Sequence, residues 1–408
     1  MEKCRESKEN RFKVISISLF RCYYLILSVL FYAYVPIYFE KSGFTNHDVG
    51  IFFAVQSAMS IIVYLPSGII NDKFSVKTQL LAGISVFSTF LFLLPYASNF
   101  WHFFGIFVLW GLAGTTLDNS TNTIYYKESS VIKDKLFFSL YGITSTVAYA
   151  LGGKIGAIIV GENNFIGLFK TIFYLSLALF PLWRLLSDTR ASNVRVKDYV
   201  KDIWRFEVLA LAATIFLFTY HWGAEMTSFT MLMKQNAGLQ MSDISYIYFE
   251  VGIIMSVIIF FLGYYKEKHR INPLDAIFIA SGFSAFSQLT FYWAKSFEMM
   301  LFNQFLHSIG DAFFVYFWLN AIPQLFSYER IGGASSFVNW FSVISVIAGS
   351  FFSGAAVSQF GNYYAPFIIS GLLMVLTIPI QIYTRFFYKN KINEPIYKNN
   401  AEKCLLEN

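Results

Sequence analysis

Twelve long apolar stretches, separated by short polar segments, make up most of this chain. A helix needs about 20 mostly apolar residues to cross a bilayer. A chain inside hydrocarbon must also satisfy its backbone hydrogen bonds internally, so these stretches predict membrane-spanning helices. We number the predicted spans 1 to 12 in chain order: 14–38, 48–70, 78–97, 102–126, 137–160, 165–187, 206–230, 244–265, 273–295, 299–325, 333–359 and 363–387.

The composition supports an all-α integral membrane protein. Hydrophobic residues make up 56% of the chain and charged residues only 14%, whereas soluble domains carry about 25% charged residues. The three cysteines show neither a disulfide framework nor metal-ligand spacing. No nucleophile–base set is visible either, so the sequence predicts neither an enzyme nor a cofactor.

The basic residues predict how the chain is oriented. Most of the 31 Lys and Arg residues fall in segments on the same side as the N-terminus, and the loops on the other side contain Lys41, Lys234 and Lys295. Cytoplasmic loops carry an excess of Lys and Arg, so both termini are predicted to be cytoplasmic, in a bacterial inner membrane. The basic loops predict contact with anionic membrane lipid, and nucleic acid is not an expected partner.

The longest polar stretch between spans divides the chain into two halves. We predict an N-terminal six-helix bundle at 1–187, a cytoplasmic linker at 188–205, a C-terminal six-helix bundle at 206–388 and a cytoplasmic tail at 389–408. Six helices on each side of a linker are typical of a transporter built from a repeat.

The loop after span 2 carries the clearest motif. It reads Gly68-Ile-Ile-Asn-Asp72-Lys73-Phe-Ser-Val-Lys77 and resembles the signature loop of the major facilitator superfamily, G-x-L-x-D-R-x-G-R-R/K. Gly68, Asp72 and Lys77 match the pattern, and Lys73 keeps the charge of the arginine. The chain departs from the pattern at Ser75 and Val76.

The resemblance implies two six-helix bundles around a central cavity that opens to each side in turn. It implies that spans 1, 4, 7 and 10 line the cavity. It also implies that span 2 meets span 11, and span 5 meets span 8, at the seam between the bundles.

The motif residues are predicted to form a gate. Asp72 is expected near the N-terminus of span 11, where the helix dipole favours negative charge. Lys73 and Lys77 are expected to bind neighbouring carboxylates or lipid phosphates. After span 8 an acid stands four residues beyond a glycine, as in the motif, so Glu267 is expected to serve span 5 in the same way. The alternative is that these are ordinary loop charges.

Other stretches resemble the lactose-permease-like branch of sugar–proton symporters. The run from Tyr34 to Ala54 is similar, and His307 is followed by an acid, Asp311, at four residues instead of three. The basic residue that this branch uses for sugar has no match, so sugar is only weakly indicated. Span 5 partly resembles a drug-exporter motif, although Lys154 interrupts it, and this keeps drug efflux as an alternative.

Two opposite charges lie at similar depth in the first half. Arg21 on span 1 and Asp118 on span 4 are each about two turns from the cytoplasmic end. Charged groups inside a membrane are costly and mark functional sites by default. We predict that Arg21, Asp118 and Asn122 either pair or bind an ionic substrate. The alternatives are snorkelling of Arg21 and a structural hydrogen bond for Asp118.

The second half contains two His–acid pairs. His221 and Glu225 are one turn apart on span 7, and His307 and Asp311 are one turn apart on span 10. Imidazole titrates near neutral pH, so these groups are predicted to couple transport to protons. The alternative is structural hydrogen bonding between helices. The sequence does not fix a tetrahedral arrangement, so no metal site is predicted.

Aromatic residues flank these pairs, and a further charged pair is predicted at the outer side. Tyr220 and Trp318 are candidates for the cavity wall, although core packing is the alternative. Lys154 on span 5 and Glu250 on span 8 lie at equal depth and are predicted to form an outer gate. The alternative is that each snorkels separately to the headgroups.

These patterns predict a secondary active transporter for a small polar or charged organic solute, coupled to protons. Efflux of a drug or metabolite by proton antiport is the alternative within transport. A non-transporting membrane receptor or assembly factor is the alternative from another class. The expected partners are a small-molecule substrate, protons and membrane lipid, and the chain is expected to be a monomer.

Overall fold

A computed structural model of the chain describes residues 2–129, 136–161, 164–189, 195–268 and 273–388. Within these ranges every regular element is helical, and no strand is present. The predicted all-α fold is therefore confirmed. The linker residues 190–194 and the tail 389–408 lie outside the described ranges, and the division into two bundles at 188–205 stays a prediction.

Each predicted span corresponds to one helix or to two consecutive helices. In order they are Glu2–Tyr32 with Val35–Lys41, Asn46–Lys73, Val76–Leu93, Phe100–Ser129, Leu136–Val160, Phe165–Ser176 with Leu179–Arg184, Phe206–Met231, Met241–Lys268, Pro273–Thr290, Phe297–Leu325, Ile331–Phe360, and Ala365–Val375 with Thr377–Tyr388. A short helix, Val196–Ile203, precedes span 7 and is called the linker helix below.

Eleven of the described helices are long and apolar enough to cross a membrane, and span 9 is the exception. Its α-helix ends at Thr290 and continues as one 3₁₀ turn, Phe291–Trp293. Ser281, Ser284 and Gln288 recur on one face and are buried against other helices. The polar face lowers the average hydropathy of span 9, although the helix packs like the other spans.

Polar residues fix where several helices begin. Thr45 caps span 2 by accepting a hydrogen bond from the backbone N–H of Asp48, whose carboxylate accepts from the N–H of Thr45 in return. Ser75 caps span 3 by accepting from the N–H of Thr78. Such caps satisfy backbone donors that the first helical turn leaves unpaired.

The two seams implied by the family resemblance are present. At the first, Gly68 of span 2 packs so closely on span 11 that an added Cβ atom would lie 2.0 Å from Ser336 Oγ. At the second, a Cβ atom on Gly252 of span 8 would lie 2.5 Å from the carbonyl oxygen of Thr146 on span 5. Small residues let helix backbones approach closely in membranes, where packing replaces the hydrophobic driving force.

Candidate functional site

The acidic residue of the signature loop belongs to a buried cluster. We call it the Asp72 cluster, and its members are Asp72, Lys127, Tyr199, Gly332 and Gly333. Lys127 Nζ on span 4 lies 3.2 Å from Asp72 Oδ1, and both side chains are fully buried. The backbone N–H groups of Gly332 and Gly333 donate to the two carboxylate oxygens over 3.1 and 2.7 Å. Asp72 thus lies at the N-terminus of span 11, where we expected it. Its role as a gate stays a prediction.

The linker helix contributes a further donor to the Asp72 cluster. The Tyr199 hydroxyl donates to Asp72 Oδ2 over 2.9 Å. Burial, and then the Asp72 carboxylate, raise the pKa of Tyr199, so the hydroxyl keeps its proton at physiological pH. The ring packs against Gly333, where an added Cβ atom would lie 2.5 Å from Tyr199 Cε1. Glycine at this position therefore permits the contact.

A salt bridge holds the linker helix to the start of span 11. Arg330 Nε donates to Asp202 Oδ2 over 2.7 Å, and its Nη2 lies 3.4 Å from Oδ1. Arg205, just after the linker helix, donates from Nη1 to the carbonyl oxygen of Leu325 over 2.8 Å. The linker helix is therefore attached to the C-terminal half at both ends of the loop between spans 10 and 11.

The basic residues of the signature loop have other partners than those predicted. Lys77 Nζ donates to the carbonyl oxygens of Arg184 and Leu186 over 3.1 and 2.7 Å, and only its backbone N–H donates to a carboxylate, Asp188 Oδ1, over 3.2 Å. Unpaired carbonyls at a helix C-terminus attract cations, which explains the contact of Nζ. A contact of Lys77 with lipid phosphate stays a prediction. No described contact joins Lys73 to a carboxylate. The side chain of Glu267 lies outside the described residues.

The two opposite charges of the first half are neighbours. Arg21 Nη2 lies 3.8 Å from Asp118 Oδ1. Arg21 Nη1 donates to Thr144 Oγ1 over 2.8 Å and to the carbonyl oxygen of Tyr141 over 3.3 Å. The guanidinium lies over the Tyr141 ring, 4.5 Å from its centroid. Span 5 thus holds the arginine in place from one side.

Asp118 is held by three donors. The Tyr64 hydroxyl and Asn122 Nδ2 donate to Oδ2 over 2.8 and 3.1 Å, and the Tyr24 hydroxyl donates to Oδ1 over 3.4 Å. The predicted residues Arg21, Asp118 and Asn122 are therefore brought together, and we call them the Arg21–Asp118 centre. Their role in substrate binding stays a prediction.

The four His–acid residues of the second half also meet, but the pairs are crossed between the helices. His307 Nε2 lies 2.8 Å from Glu225 Oε1, and His221 Nε2 lies 3.3 Å from Asp311 Oδ1. The predicted partners on one helix, His307 and Asp311, are separated by 3.7 Å. The reason is geometric: side chains of spans 7 and 10 point toward each other, with the ring centroids of His221 and His307 4.9 Å apart. We call these residues the His–acid centre.

Polar neighbours fix the two carboxylates of the His–acid centre. Trp222 Nε1 donates to Asp311 Oδ2 over 2.9 Å, and Ser284 Oγ donates to Oδ1 over 3.2 Å. Gln288 Nε2 donates to Glu225 Oε1 over 2.9 Å. Span 9 thus supplies two of these partners from the polar face that makes it the least apolar span.

The ring of His221 is oriented by the backbone of its own helix. Nδ1 lies 2.5 Å from the carbonyl oxygen of Phe218. A carbonyl only accepts hydrogen bonds, so we assign the hydrogen to Nδ1. Nε2 then faces the Asp311 carboxylate, and this contact is favourable when a proton lies between the two atoms.

The spacing of three of these groups would also suit a metal ion. The ligand atoms of His221, His307 and Asp311 lie within 4.8 Å of one another. The sequence predicts no metal here. Because Asp311 accepts hydrogen bonds from Trp222 and Ser284 and His307 meets Glu225 at hydrogen-bond distance, we treat the centre as a hydrogen-bonded network.

The two aromatic candidates lie in different surroundings. Trp318 stacks on Trp222, with ring centroids 6.0 Å apart and an interplanar angle of 18°, so it adjoins the His–acid centre. Tyr220 is buried, and its carbonyl oxygen lies against Gly349 of span 11. No described hydrogen bond joins the Tyr220 side chain to the His–acid centre, so it is not brought into the predicted site.

The predicted ion pair between Lys154 and Glu250 is absent from the described contacts. Lys154 Nζ lies over the rings of Tyr246 and Phe249, 5.6 and 5.8 Å from their centroids. The prediction was wrong for this state because the aromatic side chains of span 8 occupy the position in front of the lysine. Oxygen Oε2 of Glu250 is buried without a described hydrogen-bond partner.

Comparisons with known proteins support the same family. The family model described as Major Facilitator Superfamily matches residues 17–297. Multidrug resistance protein MdtH of Blochmanniella floridana is 20% identical over 259 residues, which are 60% of this chain and 65% of that relative, so less than two thirds of the relative is covered.

Among solved structures, the chain is similar to the human organic anion transporter MFSD10 (TETRAN), with a TM-score of 0.74 and 14% identity. The match covers 91% of this chain and 99% of the other, and at this identity it shows the fold alone. The family model, which spans more than half of the sequence, shows more: the chain is a multi-pass membrane protein that belongs to the Major Facilitator Superfamily of transporters.

Proposed function

We propose that this protein is a secondary active transporter that moves a small polar or charged organic solute by alternating access, driven by protons. The observation that carries the proposal is the contact between His221 Nε2 and Asp311 Oδ1 at 3.3 Å, with His221 Nδ1 already turned to a carbonyl oxygen. The transport class follows from the family. The chemistry of this contact supports proton coupling.

The imidazole of His221 is held in one orientation by the carbonyl oxygen of Phe218. With its hydrogen on Nδ1, a neutral His221 would turn a lone pair toward the Asp311 carboxylate. One proton bound between His221 and Asp311 removes this repulsion. His307 lies 3.7 Å from Asp311, and Glu225 in turn lies 2.8 Å from His307. Loss of the proton would break the contact between His221 on span 7 and Asp311 on span 10. The broken contact would change the relative stability of the inward-facing and outward-facing forms.

A pH gradient imposed on proteoliposomes tests the proposal. A panel of small organic solutes identifies one that the wild type accumulates, and Asp311→Asn is then compared with it. We expect the variant to lose gradient-driven accumulation but to keep exchange of labelled for unlabelled solute, because Asn cannot carry the proton. A chelator in all assays excludes trace metal as the coupling ion. Full accumulation by Asp311→Asn contradicts the proposal.

A second candidate is proton-driven efflux of a drug or metabolite. It is favoured by the similarity to a relative described as a multidrug resistance protein. The two candidates differ in whether the proton and the solute move in the same direction or in opposite directions. In symport an inward proton gradient drives solute into the liposome, whereas in antiport the same gradient drives preloaded solute out.

We also propose the orientation that the basic loops predict, with both termini cytoplasmic in a bacterial inner membrane. The proposed partners are the solute, protons and membrane lipid, with the protein acting as a monomer. A cysteine introduced in the loop after span 2 should react with an impermeant thiol reagent only after the cells are opened. Labelling of intact cells would contradict this orientation.

A further inference from the structure

The structure assigns a carboxylate-binding role to the Arg21–Asp118 centre: we propose that the transported solute carries a carboxylate group and that Arg21 binds it. This inference rests on the proposed function, because it names the substrate class of the same transporter. Three observations support it: Arg21 has hydrogen-bond donors without a described partner, Asp118 already accepts three hydrogen bonds, and both side chains are partly exposed.

Arg21 has two nitrogen atoms without a hydrogen-bond partner among the described residues. Nη1 is used by Thr144 and by the carbonyl of Tyr141. Nη2 makes no described hydrogen bond, since its 3.8 Å separation from Asp118 Oδ1 exceeds the 2.7–2.9 Å usual for a charged hydrogen bond. Nε is buried and also lacks a partner. The N–H groups of Nε and Nη2 form one edge of the guanidinium, which is the edge that binds a carboxylate with two parallel hydrogen bonds.

Asp118 has hydrogen-bond partners besides its ionic contact with Arg21. Tyr64, Asn122 and Tyr24 already donate to its two oxygens. When Arg21 turns to the carboxylate of a solute, Asp118 keeps these three hydrogen bonds, which reduce the cost of weakening its contact with the guanidinium. Meanwhile, the Tyr141 ring beneath the guanidinium keeps its plane fixed. The centre can therefore exchange an internal anion for an external one.

The exposure of the pair allows a solute to reach it. The side chain of Arg21 is 14% exposed and that of Asp118 is 27% exposed. The fully buried Asp72–Lys127 pair offers no such access. A planar carboxylate matches the edge of the guanidinium, whereas a neutral amide of the same size brings a donor toward a donor. Arg21 thus gives a reason to prefer a carboxylate over a neutral isostere.

The test measures binding without transport, so that its failure can be distinguished from failure of the proposed function. Purified protein in detergent is heated with propionate, succinate, benzoate or glycine, and with the amide of each. At least one carboxylate should stabilise the wild type, and its amide should not, because a ligand stabilises the state that binds it. Equal stabilisation by the amide, or no stabilisation by any carboxylate, would overturn the proposal.

Variants at the centre make the test specific. Arg21→Met should weaken binding of the active carboxylate more than about tenfold, and Arg21→Lys should keep a weaker contact because it retains only a point charge. Asp118→Asn should bind about as tightly as the wild type or more tightly, since the internal competitor is neutralised. Arg184→Gln, which changes an exposed arginine elsewhere, is the matched control and should bind normally.

Two outcomes would contradict the assignment even if Arg21→Met fails to fold. The first is that Arg21→Lys binds the carboxylate as tightly as the wild type while Asp118→Asn binds it much more weakly. This would show that Asp118, not Arg21, recognises the ligand. The second is stabilisation by inorganic phosphate in place of the carboxylates, which would give the site to a different oxyanion.

Discussion

Two acid–base pairs, both formed with span 4, differ in almost every physical respect. Asp72 and Lys127 are 3.2 Å apart and fully buried, and Asp72 accepts further hydrogen bonds from Tyr199 and two backbone N–H groups. Arg21 and Asp118 are 3.8 Å apart and partly exposed, and one edge of the guanidinium is unused. The first pair is complete in this state, whereas the second can accept a ligand.

The difference indicates which charges hold a state together and which bind a solute. Breaking a desolvated pair leaves a buried charge without compensation, at a cost of about 3–5 kcal/mol. A partly exposed pair contributes less, because water screens the attraction. The difference is consistent with the predicted role of the Asp72 cluster in keeping its end of the bundle closed and with the proposed role of the Arg21–Asp118 centre in substrate binding.

Replacement of Lys127 by Met should have the largest effect. Asp72 would lose its buried cation, and the closed state should weaken by about 3–5 kcal/mol, or at least a hundredfold. The measurement is thiol labelling of Ser336→Cys at the seam in a cysteine-free background, and its rate should rise accordingly. Lys77→Met is the matched control, because Lys77 binds carbonyls on span 6. An equal rise in both variants would show that the Asp72 cluster is not the specific lock.

The second prediction concerns the coupling of Arg21 and Asp118. If they compensate each other, Arg21→Met with Asp118→Asn should be more stable than Arg21→Met alone by about 1–3 kcal/mol, because no charge is left unpaired. Thermal stability in detergent and the yield of folded protein measure this. Equal, additive losses in the two single variants and the double variant would count against pairing.

Removal of the Tyr199 hydroxyl should have a smaller effect. Tyr199→Phe loses one hydrogen bond to a charged acceptor, at about 1.5 kcal/mol, and labelling of Ser336→Cys should rise about tenfold. The pKa of Tyr199 is raised in the folded protein. The contribution of this bond is therefore fully present below the unperturbed value of about 10 and is lost only as pH rises through the raised value. The ratio of the labelling rates of Tyr199→Phe and the wild type should therefore stay constant between pH 6 and pH 9, because the ionisation of the labelled thiol affects both rates equally. A ratio that changes in this range would contradict the prediction.

The smallest effect is expected at Lys154. Its contact with the rings of Tyr246 and Phe249 is worth about 0.5–1 kcal/mol, so Lys154→Met should change accessibility at the opposite end of the bundle only severalfold. The charge swap Lys154→Glu with Glu250→Lys should not restore the wild-type level. Restoration by the swap would show that the two residues do pair in another state.

The apolar runs were sufficient to predict the helices because hydrocarbon permits few alternatives. Span 9 was located correctly, although Ser281, Ser284 and Gln288 reduce its hydropathy. Equal depth along spans 1 and 4 was sufficient to predict that Arg21 lies near Asp118. Depth does not give rotation about the helix axis. The sequence therefore did not indicate that His221 faces Asp311 or that Lys154 contacts aromatic rings and not Glu250.

Some residues of the clusters gave little signal in the sequence. Lys127 resembles an ordinary basic residue at the end of a span, and Tyr199 lies in the linker, so nothing local connects either of them to Asp72. Tyr24, Tyr64 and Tyr141 are three tyrosines among 26. Their contacts arise from the packing of separate helices. The glycines on the two sides of the contact, Gly68 on span 2 with Gly332 and Gly333 at the start of span 11, were the available signs of a close approach.

The most direct test of the account is whether protons move with the solute. Proteoliposomes containing a pH-sensitive dye are given a transported solute from outside, without an imposed gradient and with the membrane potential clamped. We predict that the interior pH changes as the wild type takes up solute. Asp311→Asn should give no pH change, although it should still exchange labelled for unlabelled solute when the liposomes are preloaded. Entry of the solute through the wild type at constant interior pH would contradict the central claim.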